Sequence, residues 1–213
     1  MTGQRESKWR ELLEAVLPAL AELPGEFSWT WGGGTALAQR FHHRISYDID
    51  IFFENAAVLQ KLSPNRNPKI KAITDNWQEP EHYIKIERPE GEIDFIIAMM
   101  RTVPGALPVE VSGHKILMEA AAEILAKKIH YRGSRAVARD VFDAMAVFHL
   151  DPKALEQAVK ATPDGARNFA DNIRALAPRL KREIPMAVDV TDQGAKLLDQ
   201  DFLELAAALE GLL

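Results

Sequence analysis

The feature that most constrains the fold of this chain is the stretch WTWGGGTALAQRFHHRISYDIDIFF, residues 29–53. A short apolar segment leads into three consecutive glycines, a threonine and a helical pattern, and a second apolar segment then carries two aspartates. Because alternate residues of a strand face the same side, Asp48 and Asp50 would project together while the isoleucines beside them point into a core. The stretch predicts two strands joined by a glycine turn and a short helix, with paired carboxylates on one strand face.

Such a pair of carboxylates points to a cation. Two acids in an apolar strand repel each other, and hard divalent ions such as Mg²⁺ prefer carboxylate oxygens, so Asp48 and Asp50 are candidate metal ligands. The glycine turn would supply backbone amides at the start of a helix, where a phosphate can approach closely. Three glycines alone are most often a loop, and paired acids alone are most often solvated. Found together in this order, they favour a site for a nucleotide and a metal.

A further acid lies in GEIDFIIAMM, residues 91–100, where Asp94 is a lone carboxylate in an apolar run. A buried acid without a partner is unfavourable, which makes Asp94 a candidate third member of the acid cluster. The alternative is a strand-end aspartate that faces water. Both remain open, because the sequence does not show which face of the strand Asp94 occupies.

Composition limits the class of protein. The 213 residues suit one large domain or two small ones, and the absence of cysteine excludes disulfides, thiolate zinc sites and a cysteine nucleophile. No window approaches the ~18 apolar residues of a membrane span, so a cytoplasmic location without a membrane partner is expected. With a net charge of -5, the chain would contact nucleic acid only through a local basic patch.

Hydrophobic periodicity predicts a mixed α/β half followed by a helical half, with the boundary between residues 1–115 and 116–213. We expect strands over residues 27–31, 82–88, 92–100 and 107–111. We expect helices over residues 7–23 with a bend at Pro18, 35–41, 55–62, a short turn at 69–75, a helical pattern from Leu117, a helix from about Pro163 to Glu183 bent at Pro178, and a last helix from about Thr191 to Leu213.

A basic cluster at Arg174, Arg179, Lys181 and Arg182 could contact a nucleic-acid backbone, although such a cluster is more often a solvated helix face.

Two motifs resemble one known family. The run GGTAL, then HR, then S-x-D-I-D-I-F, within Gly33–Phe53, resembles the signature of the nucleotidyltransferase superfamily and specifically of its AbiEii/AbiGii-type toxin branch. The segment EILAKKIHYRGSRAVARDVFDAMAVF, residues 123–148, resembles the downstream signature of the same branch. In that alignment the lysine, the Arg-Asp pair and the later aspartate are Lys128, Arg139, Asp140 and Asp143. The intervening loop, Arg132 to Arg135, is shorter than is common in the branch, so the roles of these two arginines stay open. The exact role of Asp143 is open as well.

The resemblance implies an α+β fold, with a nucleotidyltransferase-like mixed β-sheet, flanking helices and a C-terminal helical region that completes the active-site cleft. It also implies a magnesium-dependent enzyme that transfers a nucleoside monophosphate from a nucleoside triphosphate to an acceptor hydroxyl. Members of the branch are toxins encoded beside an antitoxin, and some relatives modify the acceptor end of transfer RNA. A cognate antitoxin and a tRNA-type acceptor are therefore the expected partners.

The residue roles that follow from the motifs and the resemblance fall into three groups. The expected ligands of two Mg²⁺ ions are Asp48, Asp50 and Asp94, and the expected catalytic set adds Lys128 and Asp140 to these three. The expected nucleotide-binding residues are Gly33, Gly34, Thr35, Arg44 and Arg139. A guanidinium at Arg44 could pair with the triphosphate or with the acidic strand, and Asp140 could orient Lys128. The alternative for Lys128 and Asp140 is an ion network between two packed helices.

Two rival functions remain open at this stage. The first is a nucleotidyltransferase with a small acceptor, such as an antibiotic-modifying enzyme. The second is a nucleotide-binding module without catalysis. The sequence does not reveal which triphosphate, which acceptor or which oligomeric state applies.

Overall fold

The computed structural model describes residues 6–213 of the chain. Its strands are β1 Trp29–Gly32, β2 Arg44–Ile45, β3 Ile49–Phe53, β4 Asn76–Gln78, β5 Tyr83–Arg88, β6 Gly91–Ile97, β7 Ala106–Val111, β8 His114–Glu119 and β9 Asp189–Val190. Its helices are α1 Trp9–Leu20, α2 Gly33–Phe41, α3 Val58–Leu62, α4 Pro68–Lys71, α5 Ala121–Arg132, α6 Ala138–Leu150, α7 Pro152–Ala161, α8 Pro163–Ala175, α9 Ala177–Ala187, α10 Asp192–Leu198 and α11 Phe202–Gly211. A 3₁₀ turn at Gly133–Arg135 separates α5 from α6.

Most of the strands form one mixed sheet with the order β4-β5-β6-β3-β1-β8-β7. Strand β3 is parallel to β6 and antiparallel to β1, and β1 is in turn parallel to β8. Strands β5 and β6 form an antiparallel hairpin. After the sheet the chain is helical apart from the short strand β9, so the predicted α+β fold with a mixed sheet and a helical C-terminal region is confirmed.

Strand β3 is amphipathic, as its sequence predicts. Ile49 and Ile51 are fully buried, whereas Asp50 between them is only partly buried on the opposite face. The parallel neighbour β6 alternates in the same way, with Ile93 buried and Asp94 partly exposed. One face of the sheet is therefore apolar, and the other carries the acidic side chains.

The chain divides into two compact units. The first comprises residues up to Ala36, Ser46–Met99 and Pro108–Met118. Its core lies between the apolar sheet face and α1, which contacts β3 and β6. In this core the rings of Trp9 and Trp31 stack with their centroids 4.8 Å apart. The unit therefore holds both acidic strands on a rigid apolar base.

The second unit comprises Leu37–Ile45, Met100–Leu107 and Glu119–Leu213. Helix α6 lies at its centre and buries Phe142 and Val141 completely. The segments 37–45 and 100–107 belong to this unit although they precede residue 116 in the chain. The division into domains at residues 1–115 and 116–213 stays a prediction about folding units. Within residues 6–213, no helix is both long and apolar enough to cross a membrane.

The structure differs from the sequence-based elements after residue 113. The helical pattern expected from Leu117 begins only at Ala121, because β8 occupies residues 114–119. In β8 Ile116 and Met118 are buried while Leu117 is exposed, which is the two-residue period of a strand. Apolar residues that continue from a strand directly into a helix hide this boundary in the sequence.

The two long C-terminal helices that the sequence predicts are each divided. The expected helix from Pro163 ends at Ala175, and Pro178 lies in the first turn of α9 rather than bending a continuous helix. A proline is well tolerated there because first-turn N–H groups have no partner within the helix. The last expected helix is interrupted before α11, where the Asp201 side chain accepts a hydrogen bond from the Leu203 N–H.

Candidate active site

One transverse row of residues crosses four neighbouring strands of the first unit. Lys85 on β5 is the register partner of Asp94 on β6, and Asp94 is the partner of Asp50 on β3. Asp50 is in turn the partner of Gly32, the last residue of β1. Partnered residues of adjacent strands turn their side chains to the same sheet face. Asp94 therefore lies beside Asp50 and not on the opposite face of the sheet.

The carboxyl group of Asp94 is in an unfavourable environment for a negative charge. Its Oδ2 lies 3.5 Å from Lys85 Nζ, whereas Oδ1 is buried and has no hydrogen-bond partner among the described residues. Burial, reinforced by the charge of Asp50, raises the pKa of Asp94 to about 7, although Lys85 opposes this shift. Without a further cation, a large share of Asp94 therefore holds a proton at neutral pH.

Lys85 bridges two acids of β6. Its ammonium group forms ion pairs with both Glu92 and Asp94. Burial lowers the pKa of Lys85, but the two carboxylates outweigh burial and raise this pKa above its ordinary value. Lys85 is thus charged at neutral pH and offsets part of the acidic charge on this face.

Asp48 lies just before β3, two residues ahead of Asp50. Its Oδ1 accepts a hydrogen bond of 3.0 Å from the backbone N–H of Glu92, and its backbone carbonyl accepts one from the hydroxyl of Thr35. Asp48 therefore links the start of β3 both to β6 and to the glycine turn. Among residues 6–213, no group of three or more His, Cys, Asp or Glu side chains is arranged to hold a metal ion.

Part of the predicted ligand set still fits a hard divalent cation. Asp50 and Asp94 present adjacent carboxylates, and the buried Oδ1 of Asp94 lacks a donor. Mg²⁺ takes oxygen ligands of this kind, and a divalent charge would favour the ionised form of Asp94 against the burial and the Asp50 charge that raise its pKa. Asp48 is the least available of the three for binding a metal ion, because its Oδ1 already accepts a hydrogen bond from the Glu92 N–H.

The glycine turn has a conformation that requires glycine. Gly33 has a φ of +69°, and a Cβ atom on it would lie 1.8 Å from Asp50 Oδ2. Only a residue without a side chain leaves room for the Asp50 carboxylate at this point. Gly33 and Gly34 begin the first turn of α2, and both are partly exposed.

Thr35 differs from its neighbours in the turn because it is 1% exposed. Its hydroxyl is hydrogen-bonded to Ser46 Oγ over 2.8 Å and also contacts the Asp48 carbonyl. The hydroxyl of Ser7 donates to the carbonyl of Ser46 from the other side. Thr35 thus fastens the start of α2 to the segment before β3, and its hydroxyl is turned inward.

The second unit contains a buried ion network centred on Asp143, which is 0% exposed. Arg44 donates to both carboxylate oxygens of Asp143 through Nε (2.6 Å) and Nη2 (3.0 Å). His43 Nε2 lies 2.8 Å from Oδ1, and Lys128 Nζ lies 3.0 Å from Oδ2. Lys128 Nζ also lies 2.5 Å from Asp140 Oδ1. The network therefore joins two carboxylates to three basic side chains, all of them buried.

The charges of this network stabilise one another. Burial raises the pKa of Asp143, but Arg44 and Lys128 outweigh burial and hold this pKa well below its ordinary value. Burial lowers the pKa of Lys128, but Asp140 and Asp143 raise it above its ordinary value. Asp143 and Lys128 are therefore ionised at neutral pH.

The predicted arginines have different environments. Arg44 is buried on Asp143, whereas Arg139 is exposed near the start of α6. Arg132 Nη1 lies 3.4 Å from Asp140 Oδ2 at the end of α5. In the expected basic cluster, Arg174 and Arg179 pair with exposed glutamates on the helix surface, as in a solvated helix face.

The sequence analysis does not identify Lys85 or the central position of Asp143. The position of Lys85 depends on the register of the β5–β6 hairpin. With a three-residue turn at residues 89–91, Lys85 would oppose Phe95, but the strands pair Arg88 with Gly91 across a two-residue turn, and Lys85 opposes Asp94. A difference of one residue moves a side chain to the other face of the sheet. Asp143 lies 99 residues from Arg44, and no local pattern reveals such a pairing.

Comparison with known proteins agrees with this architecture. A family model described as "Nucleotidyl transferase AbiEii toxin, Type IV TA system" matches residues 15–210. A solved structure from H. pylori, assigned as a nucleotidyltransferase, has a TM-score of 0.50 and 15% sequence identity, and the match covers 95% of this chain and 90% of that one. At this identity the likeness shows the shared fold. The chain has no significant match among curated proteins.

Two further solved structures are more distant. The nucleotidyltransferase toxin MenT4 from Mycobacterium tuberculosis H37Rv matches with a TM-score of 0.48 and 14% identity, over 96% of this chain and 90% of that one. The antibiotic-resistance factor ANT(2'')-Ia matches with a TM-score of 0.45 and 14% identity, over 82% of this chain and 95% of that one.

Proposed function

Because the chain belongs to the AbiEii nucleotidyltransferase toxin family, we propose that its sheet row around Asp50 and Asp94 is the reaction centre for nucleotidyl transfer. The observation that carries this proposal is the register of β3 and β6, which makes the two aspartates direct partners on one sheet face beside the glycine turn. Transfer of a nucleoside monophosphate needs a phosphate-binding turn, carboxylates and an acceptor hydroxyl in one location.

In the proposed reaction, the acceptor hydroxyl attacks the α-phosphorus of a nucleoside triphosphate. The new oxygen–phosphorus bond forms as the bond to the β-phosphate oxygen breaks, and pyrophosphate leaves. Asp94 accepts the proton of the hydroxyl, a role that suits a carboxyl whose pKa is raised to about 7. The product is the acceptor with a nucleoside monophosphate attached.

The proposed metal ligands are Asp50 and Asp94, with Asp48 joining them once its carboxylate turns from the Glu92 amide. When bound, Mg²⁺ supplies positive charge to the phosphate oxygens and to the leaving pyrophosphate. The protein itself positions the two carboxylates through strand pairing and positions Asp48 through the Thr35 hydrogen bond. Two ions are the proposed complement, as the resemblance implies.

The proposed phosphate contacts come from the glycine turn and from cationic side chains. The amides of Gly33 and Gly34 would bind phosphate oxygens, and Thr35 would act by holding this turn in position. Arg44, Arg139 and Lys128 belong to the second unit, and a role for them in supplying positive charge to the nucleotide is proposed from the family resemblance alone. Asp140 would orient Lys128 through their ion pair of 2.5 Å.

The proposed biological role is that of a toxin whose acceptor is an RNA of the tRNA type and whose partner is a cognate antitoxin. Support comes from the family, whose description names a type IV toxin-antitoxin system. The proposed site of action is the cytoplasm, where triphosphates and RNA acceptors are both found. Induced expression should arrest bacterial growth, and expression of the Asp50→Asn variant should not.

The decisive experiment incubates the full chain and Mg²⁺ with each α-labelled nucleoside triphosphate, plus either total tRNA or a panel of aminoglycosides. We expect label on tRNA with the wild-type protein and none with Asp50→Asn. Label found only on an aminoglycoside would contradict the RNA acceptor and show that the acceptor is a small molecule. If the protein bound triphosphate independently of Mg²⁺ and released no pyrophosphate, it would be a nucleotide-binding module without catalysis.

A further inference from the structure

Lys85 occupies a position that the reaction scheme does not use. It stands at the end of the transverse row, directly opposite Asp94 and on the side of β6 away from Asp50. Its side chain is 24% exposed, so the ammonium group is neither buried in the core nor free in solvent. Of its two carboxylate contacts, the one to Asp94 is 3.5 Å long, and the one to Glu92 is closer.

Lys85 contacts two neighbouring carboxyl groups of β6 at once. It forms ion pairs with Glu92 and with Asp94, and Asp94 is in turn the register partner of Asp50. The ammonium of lysine is a compact charge on a flexible stem, with donors that rotate freely. Lys85 can therefore give up one carboxylate and keep the other by a small movement of its side chain. A surface pair held by one contact has no such alternative.

We propose that Lys85 is a positioning residue that serves as the counter-cation of Asp94 when no divalent ion is bound, and that it withdraws to Glu92 when the ion arrives. The inference rests on the proposed function, because it requires Asp94 to be a metal ligand. Lys85 then keeps the metal-free carboxylates ordered in their reactive arrangement. It also competes with the divalent ion and so limits the affinity of the site.

If Lys85 competes with the divalent ion, removing its charge should raise the affinity of the site for the ion. Removing a positive charge a few ångströms from a divalent ion strengthens the attraction of the ion to the remaining carboxylates. Lys85→Met should therefore bind Mn²⁺ more tightly than the wild type, on the order of tenfold at low ionic strength. A residue with a purely structural role would weaken the site or leave its affinity unchanged when removed.

The experiment measures Mn²⁺ binding by calorimetry to the EDTA-stripped full chain, without triphosphate or acceptor. Lys85→Met is compared with Lys85→Arg, which keeps the charge, and with Lys69→Met, which removes a lysine paired with the exposed Glu22. We expect tighter binding only for Lys85→Met, with affinities near that of the wild type for the other two. Lys85→Gln serves as the second neutral variant if circular dichroism shows that Lys85→Met does not fold.

A second readout is thermal unfolding with and without Mn²⁺. Because Lys85→Met loses its resident cation, its metal-free form should unfold at a lower temperature, and Mn²⁺ should raise that temperature by more than in the wild type. Unchanged or weaker Mn²⁺ affinity in the neutral variants, with normal binding by the wild type, would overturn this inference alone. Absence of Mn²⁺ binding by the wild type would overturn the proposed metal site as well.

Discussion

Asp50 on β3 and Asp94 on β6 are register partners in adjacent parallel strands, and both face the side of the sheet that carries the glycine turn. Backbone hydrogen bonding fixes this pairing, so two like charges are held together whether or not a cation is present. Burial of Asp94, reinforced by the charge of Asp50, raises its pKa to about 7. The site is therefore arranged for a positive ligand at some expense to the stability of the ligand-free protein.

The first prediction concerns pH. The folded-state pKa of Asp94 is about 7 against an ordinary value of 3.8, so its contribution to the free energy of unfolding is lost as pH rises from about 4 to about 7. The amide of Asp94→Asn does not titrate, so the stability of this variant does not fall with pH for this reason. Without metal, the stability of the variant relative to the wild type should increase between pH 4 and 8, by up to about 4 kcal/mol. Urea unfolding of EDTA-treated protein measures the difference.

A matched control for that experiment is Asp75→Asn. Its hydrogen bond to Lys71 lowers the pKa of the exposed Asp75 carboxyl, so its small stability effect should have the opposite sign. Parallel pH profiles for Asp94→Asn and the wild type would contradict the environment assigned to Asp94.

The second prediction concerns the glycine turn. Gly33 and Gly113 both have a positive φ, but a Cβ atom would lie 1.8 Å from Asp50 Oδ2 at Gly33 and within 4 Å of nothing at Gly113. Gly113→Ala should cost about 1 kcal/mol of stability and leave transfer intact. Gly33→Ala should cost more and reduce kcat at least about tenfold, because the Asp50 carboxylate must move. Equal effects of the two changes on kcat would contradict the role of the turn.

The third prediction separates the two roles that a threonine hydroxyl could have. Thr35→Val keeps the shape but loses the hydrogen bonds to Ser46 and Asp48, and should cost about 1–2 kcal/mol of stability and lower kcat. Thr35→Ser keeps the hydroxyl and should retain most of the activity. Denaturant unfolding and steady-state kinetics measure both quantities. If Thr35→Val raised only the KM for the triphosphate, with normal stability, direct phosphate binding by the hydroxyl would be the better account.

The fourth prediction concerns the buried network. Asp143→Asn would leave Arg44 and Lys128 buried without their shared carboxylate, and should cost about 3 kcal/mol or more of stability. Glu210→Gln removes the exposed partner of Arg174 and should leave stability nearly unchanged. Chemical denaturation of the two variants side by side measures the contrast. A normal unfolding midpoint for Asp143→Asn would show that the network does not hold the second unit together.

The local parts of the site could be read from the sequence, and the long-range parts could not. The alternation of apolar and acidic residues predicts that Ile49 and Ile51 point into the core, and both are buried there. Strand geometry fixes this relation over two residues. The position of Lys85 opposite Asp94 depends on the length of a hairpin turn, and the partner of Arg44 depends on the tertiary fold. Sequence patterns carry neither kind of information reliably.

The same limit applies to the helical half. The sequence predicts helices in most of it, and helices are found, but the helical pattern predicted from Leu117 includes the last three residues of the strand at 114–119, because the apolar residues of this strand continue into α5. Pairing of Met118 with Trp31 decided the outcome, and this pairing joins residues far apart in the chain. Tertiary contact thus overrode the local pattern.

The most direct measurement is a crystal structure of the full chain with Mn²⁺ and a non-hydrolysable nucleoside triphosphate, with data collected at the manganese absorption edge. We expect an anomalous peak within coordination distance of carboxylate oxygens of both Asp50 and Asp94, with the triphosphate beside Gly33. A manganese peak elsewhere on the protein, with no ion between Asp50 and Asp94 despite bound triphosphate, would contradict it.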